Sequence, residues 1–175
     1  MSTLHNCLHY LDHHGVRYTH TTHPAAYTAE EVAATEHMPA HRMAKTVILR
    51  EYEGYLIVVV PADSYVDLEQ IRAAMGTSAL CLADESDLLL LFPHSELGAM
   101  PALGPLFGLP VYLDRSIANQ EFIAFNAGTH RDLIHMRTAD FKRLVRPVVG
   151  DFCQSDLLRS SSRKETASPH GVAVQ

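Results

Sequence analysis

No apolar run in the sequence is long enough to cross a bilayer: the longest, Tyr55 to Val60 and Leu88 to Phe92, fall far short of the roughly 18 residues a spanning helix needs. The start, Met1-Ser2-Thr3-Leu4-His5-Asn6, has neither the basic opening nor the apolar stretch of a secretory signal, so a cytoplasmic location with no membrane partner is expected. Cysteine is sparse. Cys7, Cys81 and Cys153 are odd in number, widely spaced and without a CxxC pair, which excludes a disulfide framework or a zinc ribbon and predicts reduced thiols. Positive charge is short as well: 14 Lys plus Arg against 20 Asp plus Glu leave a formal net charge of −6. That balance argues against gripping long stretches of nucleic acid by phosphate neutralisation, while leaving open contact with one end of an RNA. The G-x-S-x-G elbow, the Walker loop, the dinucleotide glycine fingerprint and the H-E-x-x-H pair are all missing, which removes the usual hydrolase, nucleotide and zinc-protease signatures.

What is present suffices for one folded domain, since 175 residues at 47% hydrophobic content can bury a core. Twelve histidines make the net charge move between pH 5 and 8. Leu4, Cys7, Leu8 and Leu11 recur at helical spacing and predict a helix over 3–14, capped by Ser2 and stopped by Gly15. A short strand follows from Val16 toward His23-Pro24, and the Thr28 to Glu31 capping box opens a second helix over about 29–37. Thr46–Arg50 and Tyr55–Val60, joined by a turn with Gly54, read as a hairpin whose second strand is apolar on both faces and therefore central. Leu68, Ile71 and Met75 before Gly76 predict a third helix, Leu80–Leu82 a strand, and Asp84–Phe92 a fourth helix. Residues 94–108 are too punctuated by glycine and proline for regular structure and too apolar for a solvated linker.

Three more strands are expected at Val111–Leu113, Phe122–Phe125 and Leu133–Met136, then a last helix capped by Thr138 and carrying Phe141, Leu144, Val145 and Val148. Residues 154–175 have almost no large apolar group and are expected to form a disordered tail behind a domain of residues 1–153. Helices and strands interleave without a βαβ rhythm, so the class is α+β with a mixed, partly antiparallel sheet flanked by helices.

Two groups of reactive side chains have bland explanations. His5, His9 and His13 stand four apart on the polar side of the first helix with no carboxylate or cysteine converging on them, which favours a solvated face over a metal site; no metal or cofactor is expected. Cys81 lies in an apolar run with no activating base and reads as a buried structural thiol.

Five pieces in order carry a resemblance. They are His23-Pro24-Ala25-Ala26-Tyr27-Thr28-Ala29-Glu30-Glu31; Ala44-Lys45-Thr46 opening a strand; Val60-Pro61-Ala62-Asp63 with Val66-Asp67-Leu68; Gly98-Ala99-Met100-Pro101; and Phe125-Asn126-Ala127-Gly128-Thr129-His130. Over roughly residues 4–152 this set resembles the YbaK/ProX family of aminoacyl-tRNA editing domains, similar to the editing insertion of bacterial prolyl-tRNA synthetase. The resemblance implies a YbaK-like fold with a barrel-like sheet. It also implies a deacylase acting in trans on a mischarged tRNA, the expected substrate being tRNA-Pro carrying Ala, Cys or a related small amino acid. Its partners would be the aminoacyl-tRNA acceptor end and a synthetase. The alternative is a non-catalytic module of the same fold that holds a tRNA end or an amino-acid-like ligand.

Residue by residue, the resemblance places Lys45, Gly98 and His130 in catalysis and Tyr27, Pro101, Asn126 and Gly128 against substrate. A lysine of ordinary pKa, about 10.4, is cationic and can hold a phosphate or ribose or offset charge developing on the ester oxygen. Glycine and proline would shape a loop that presents backbone groups, and a neutral imidazole could accept from the substrate ammonium or orient water. No carboxylate or serine stands out as a general base or nucleophile, consistent with a catalyst that works by positioning and electrostatics. The stretch His37-Met38-Pro39-Ala40-His41-Arg42 departs from the family's small, glycine-bearing segment before the lysine, and a place at the pocket mouth would alter substrate choice.

Overall fold

The structure, a computed structural model, describes residues 1–52 and 54–155. The elements in chain order are α1 (Thr3–His13), β1 (Tyr18–Thr22), α2 (Ala29–Thr35), β2 (Ala44–Glu51), β3 (Gly54–Pro61), β4 (Ser64–Val66), α3 (Leu68–Met75), β5 (Cys81–Leu82), α4 (Glu85–Leu91), β6 (Val111–Asp114), α5 (Arg115–Ala118), β7 (Phe122–Asn126), β8 (Asp132–Arg137), α6 (Thr138–Val145), β9 (Val148–Gly150) and β10 (Cys153–Ser155). Caps written in the sequence close the helices. Ser2 Oγ accepts from the His5 N–H, and Thr28 with Glu31 forms the full reciprocal capping box of α2. Gly76 ends α3 in the left-handed conformation that a Cβ disfavours.

Five strands form one sheet in the order β5-β2-β3-β6-β9, three form a second in the order β1-β8-β7, and β10 pairs with β4. β3 occupies the middle of the larger sheet, as its uniform apolarity requires. Ile57 and Val59 pack into the main core with Phe125, Phe141 and Leu113, whereas Leu56, Val58 and Val60 pack on the opposite face with Ile71, Leu80 and Phe152. Each of these fully buried side chains contributes about 1.5–3 kcal/mol through burial. β2 pairs antiparallel with β3 from Ala44↔Pro61 to Glu51↔Gly54, while β6 pairs parallel with β3 and β9 parallel with β6. The class is thus α+β with a mixed sheet. It is not closed as a barrel: among the described residues, the two larger sheets meet outside the named strands at the parallel bridge Met43↔Ala124. That bridge sets the start of β2 beside β7, and α2 covers the junction through Ala26, Val32, Ala33, Met43, Ala124 and Leu133.

The structure departs from the sequence reading in specific places. The last helix stops at Val145, because Arg146 turns into the left-handed region with φ 51° and Pro147 has no N–H to continue the ladder, so Val148 begins β9. Thr138 starts that helix rather than capping it; the N-cap is Arg137. β4, α5, β9 and β10 are three or four residues long, too short to show a period. β10 carries the folded chain to Ser155, two residues beyond the expected boundary at 153, and residues 156–175 of the predicted tail lie outside the described residues.

Cys81 is exposed, because β5 is an edge strand whose only neighbour among the described residues is β2. Cys7 is fully buried, and burial pushes its thiol up to about 12; Cys153 is pushed up to about 12 as well, by burial and then by Asp114. Since the thiolate is the nucleophile, native protein treated with iodoacetamide is expected to carry one rapid label at Cys81. Peptide mass mapping that finds Cys7 labelled at the same rate would contradict this packing.

Candidate active site

Two loops and a turn, joined by backbone hydrogen bonds, hold most of the residues singled out. The Glu96 N–H donates to Gly128 O at 2.8 Å and the Gly128 N–H to Ala99 O at 2.9 Å, so the glycine- and proline-rich loop is laced to the turn after β7. The segment after β1 joins the same turn: His23 N–H donates to Arg131 O at 2.8 Å and Ala26 N–H to His130 O at 3.1 Å. Glycine is needed twice here. Gly98 has φ +88°, and a Cβ on it would stand 3.4 Å from His130 Cε1; Gly128 has φ +97°, and a Cβ on it would stand 2.6 Å from both Cβ and Cγ2 of Thr3.

His130 lies at the centre of this arrangement, 8% exposed. Its ring is 5.0 Å from that of Tyr27, which is itself largely exposed, and its Nε2 is 2.8 Å from Leu97 O. A carbonyl can only accept, so Nε2 carries a proton, and in a neutral ring the lone pair is then on Nδ1. That Nδ1 is buried with no hydrogen-bond partner among the described residues, and so are Asn126 Oδ1 and His23 Nε2. The His23 case follows the same logic, its Nδ1 donating to Pro24 O at 2.7 Å. With both rings neutral, these are three unsatisfied buried acceptors on two connected segments.

Lys45 is the second residue of β2 and half-buried; its Nζ donates to Ala62 O at 3.1 Å and lies 5.0 Å from the centre of the Tyr65 ring. Ala62 belongs to the apolar cluster that includes Ala26 and Met43, which connects the lysine's surroundings to the segment against His130. The structure brings Tyr27, Gly98 and His130 into mutual contact. Asn126 sits at the end of β7, four residues before His130. Gly128 is buried behind them with its N–H and C=O both engaged, and Pro101 is buried among Ala99, Met100, Ala102 and Leu103, anchoring the loop. The residues the sequence reading missed are His23, Glu96 and Leu97. His23 was already in the motif, directly before Pro24, but an imidazole acceptor becomes visible only once its other nitrogen is seen to be engaged.

The segment 37–42 lies elsewhere. With Glu36, Phe122, Ala124 and His135 it lines a cavity of about 530 Å³ that none of the seven predicted site residues borders. His37 there has φ 53°, rare for a side chain without local compensation. Burial pushes the His135 pKa down, opposed by the Glu36 carboxylate 3.8 Å away. Among the described residues no group of three His, Cys, Asp or Glu could hold a metal ion. His5, His9 and His13 form an exposed stacked row with ring centres 6.3 and 6.4 Å apart.

The family model for the aminoacyl-tRNA editing domain matches residues 23–144. A proline–tRNA ligase from Thermosipho africanus (strain TCF52B) is 26% identical over 66 residues, 38% of this chain and 12% of the ligase, so the match spans a small part of that enzyme. A solved structure named as a candidate trans-editing enzyme for prolyl-tRNA synthetase superposes with TM-score 0.76 at 20% identity, covering 89% of this chain and 99% of that one. A candidate signal transduction protein from Marinobacter aquaeolei VT8 contains the same fold, with TM-score 0.70 at 17% identity over 95% of this chain and 38% of its own.

Proposed function

Because this chain belongs to the aminoacyl-tRNA editing domain family, we propose that it is a deacylase acting in trans, hydrolysing the ester between a wrongly attached amino acid and the terminal ribose of a tRNA. Water adds to the ester carbonyl carbon, the bond to the ribose oxygen breaks, and that oxygen takes up a proton, leaving free amino acid and uncharged tRNA. The observation that carries the reading is the set of three buried acceptors, His23 Nε2, Asn126 Oδ1 and His130 Nδ1, that have no partner among the described residues. Each such atom destabilises the fold by about 1–3 kcal/mol, and an ammonium group with a neighbouring ribose hydroxyl supplies the missing donors.

In this reading the Lys45 ammonium stabilises charge on the ester oxygen or grips the terminal phosphate. His130 Nδ1 accepts from the substrate ammonium or from the attacking water. Gly98 supplies the positive φ that turns the loop beside the imidazole. The substrate would be tRNA-Pro carrying Ala or Cys, because a proline pocket discriminates against smaller side chains by only about 1–3 kcal/mol and needs a second sieve. The net charge of −6 supports contact confined to the acceptor end, with a synthetase as a partner that supplies the remaining affinity. Among the described residues no helix is long and apolar enough to cross a membrane.

The test is a panel of labelled Ala-tRNA-Pro, Cys-tRNA-Pro and Pro-tRNA-Pro incubated with the protein, following release of amino acid. Release from one or both misacylated species, with the cognate ester spared, is expected. Binding without release from any of them would favour a module that holds the acceptor end without cutting it.

A further inference from the structure

Two carboxylates outside the residues assigned above hold the turn that carries His130. Glu96 Oε2 accepts from the His130 N–H at 2.6 Å, and the residue after Glu96 supplies the carbonyl that accepts from His130 Nε2. The same Glu96 donates its own N–H to Gly128, so one residue grips both sides of the turn. At the far side, Asp132 Oδ2 accepts from the Thr129 hydroxyl, whose oxygen in turn accepts from the Arg131 and Asp132 N–H groups at 3.1 and 3.0 Å. Asp132 Oδ1 is 2.7 Å from His20 Nε2 on β1, and its carbonyl accepts from the Ala127 N–H at 2.9 Å. Burial opposes ionisation of Asp132, but the hydrogen bonds from Thr129, His20 and Thr22 outweigh it and hold this carboxyl below its ordinary value.

We propose that Glu96 and Asp132 are positioning residues for His130: they clamp the 126–132 turn from two sides and fix the imidazole with Nε2 protonated and Nδ1 presented to the substrate. This rests on the deacylase reading for its consequence, but not for its geometry. Glu96 is the sharper of the two because it is exposed and its carboxylate makes a charge-assisted bond to a backbone N–H. Without it the turn keeps its fold while the imidazole loses its fixed aim, and a displacement of about 1 Å at a reacting group can lower a rate on the order of 100-fold.

The experiment compares Glu96→Ala, Glu96→Gln and Asp132→Asn, each in wild-type and His130→Ala backgrounds, by steady-state release of amino acid from the misacylated tRNA that wild type cleaves. Glu96→Ala should lower kcat by about 10- to 100-fold with KM within about twofold. Glu96→Gln, which keeps an acceptor oxygen, should recover most of that loss, and Asp132→Asn should fall between the two. In the His130→Ala background Glu96→Ala should change kcat by less than about twofold, since there is no imidazole left to aim. An equal loss in both backgrounds would overturn the proposal. A second readout needs no turnover: long-range proton–nitrogen correlation spectra of the His130 ring should show one tautomer, protonated at Nε2, in wild type and a mixture in Glu96→Ala. Were wild type inactive on every ester, the deacylase reading would fail while the spectra still decided the positioning role. A mixed tautomer in wild type would end it.

Discussion

Lys45→Ala is expected to lower kcat/KM for the misacylated tRNA by about 10²–10³-fold, the loss seen when a preorganised group facing developing negative charge is removed. The melting temperature should change little by comparison, because Lys45 is half-buried at the start of β2, where its Nζ donates to Ala62 O and lies over the face of Tyr65. Those contacts bring the ammonium to the Ala62 end of β2 without burying it. Lys45→Arg should recover little, since a planar guanidinium is longer and directs its donors in a fixed fork rather than as a compact point charge. Lys45→Glu should leave no measurable release. The split between parameters assigns the role: a fall confined to kcat places the ammonium on the transition state, whereas a rise confined to KM places it on the phosphate or ribose of the bound tRNA. Retention of wild-type kcat and KM by Lys45→Ala would remove the lysine from the chemistry.

The fold was legible wherever hydrophobic period and capping spoke together. α1, with Ser2 at its head and Leu4, Cys7, Leu8 and Leu11 on one stripe, was readable to within a residue, as were the capping box of α2 and the central place of β3. What escaped was decided by tertiary pairing. Val148 fits the helical spacing after Phe141 and Leu144, yet Pro147 and the left-handed Arg146 take it out of α6 and set it against Tyr112 of β6. Cys81 looked buried because its neighbours are apolar, but a two-residue edge strand leaves its outer side to solvent. At the candidate site the family motif identified His130 and Gly98, which do touch, whereas the state of the imidazole depends on Leu97 O and Glu96, more than thirty residues away in the chain. No local pattern encodes such a hydrogen bond. The segment 37–42, unusual in sequence and near the lysine, lines a cavity with Phe122, Ala124 and His135.

Gly128→Ala separates a structural from a substrate-binding role for the turn, and a large effect on the fold is expected of it. The φ of +97° lies where a side chain is strained whatever the space, at about 1–3 kcal/mol. The added Cβ would also stand 2.6 Å from Cβ and Cγ2 of Thr3, the buried first residue of α1, whose hydroxyl accepts from Ser95 Oγ at 2.9 Å. Overpacking of that kind adds about 1–3 kcal/mol, so the substitution should destabilise the protein by about 2–6 kcal/mol and lower the melting temperature by roughly 4–24 °C. The two contributions can be told apart. Thr3→Ala should relieve little, because the Cβ of residue 3 is itself in the clash, whereas Thr3→Gly combined with Gly128→Ala should remove the steric part and leave the backbone strain. Activity measured well below the melting transition should fall as well, because the Gly128 N–H and C=O hold Ala99 and Glu96 and through them the carbonyl that fixes His130. If Gly128 instead contributed mainly by touching substrate, Gly128→Ala would raise KM at an unchanged melting temperature, and Thr3→Gly would give no recovery.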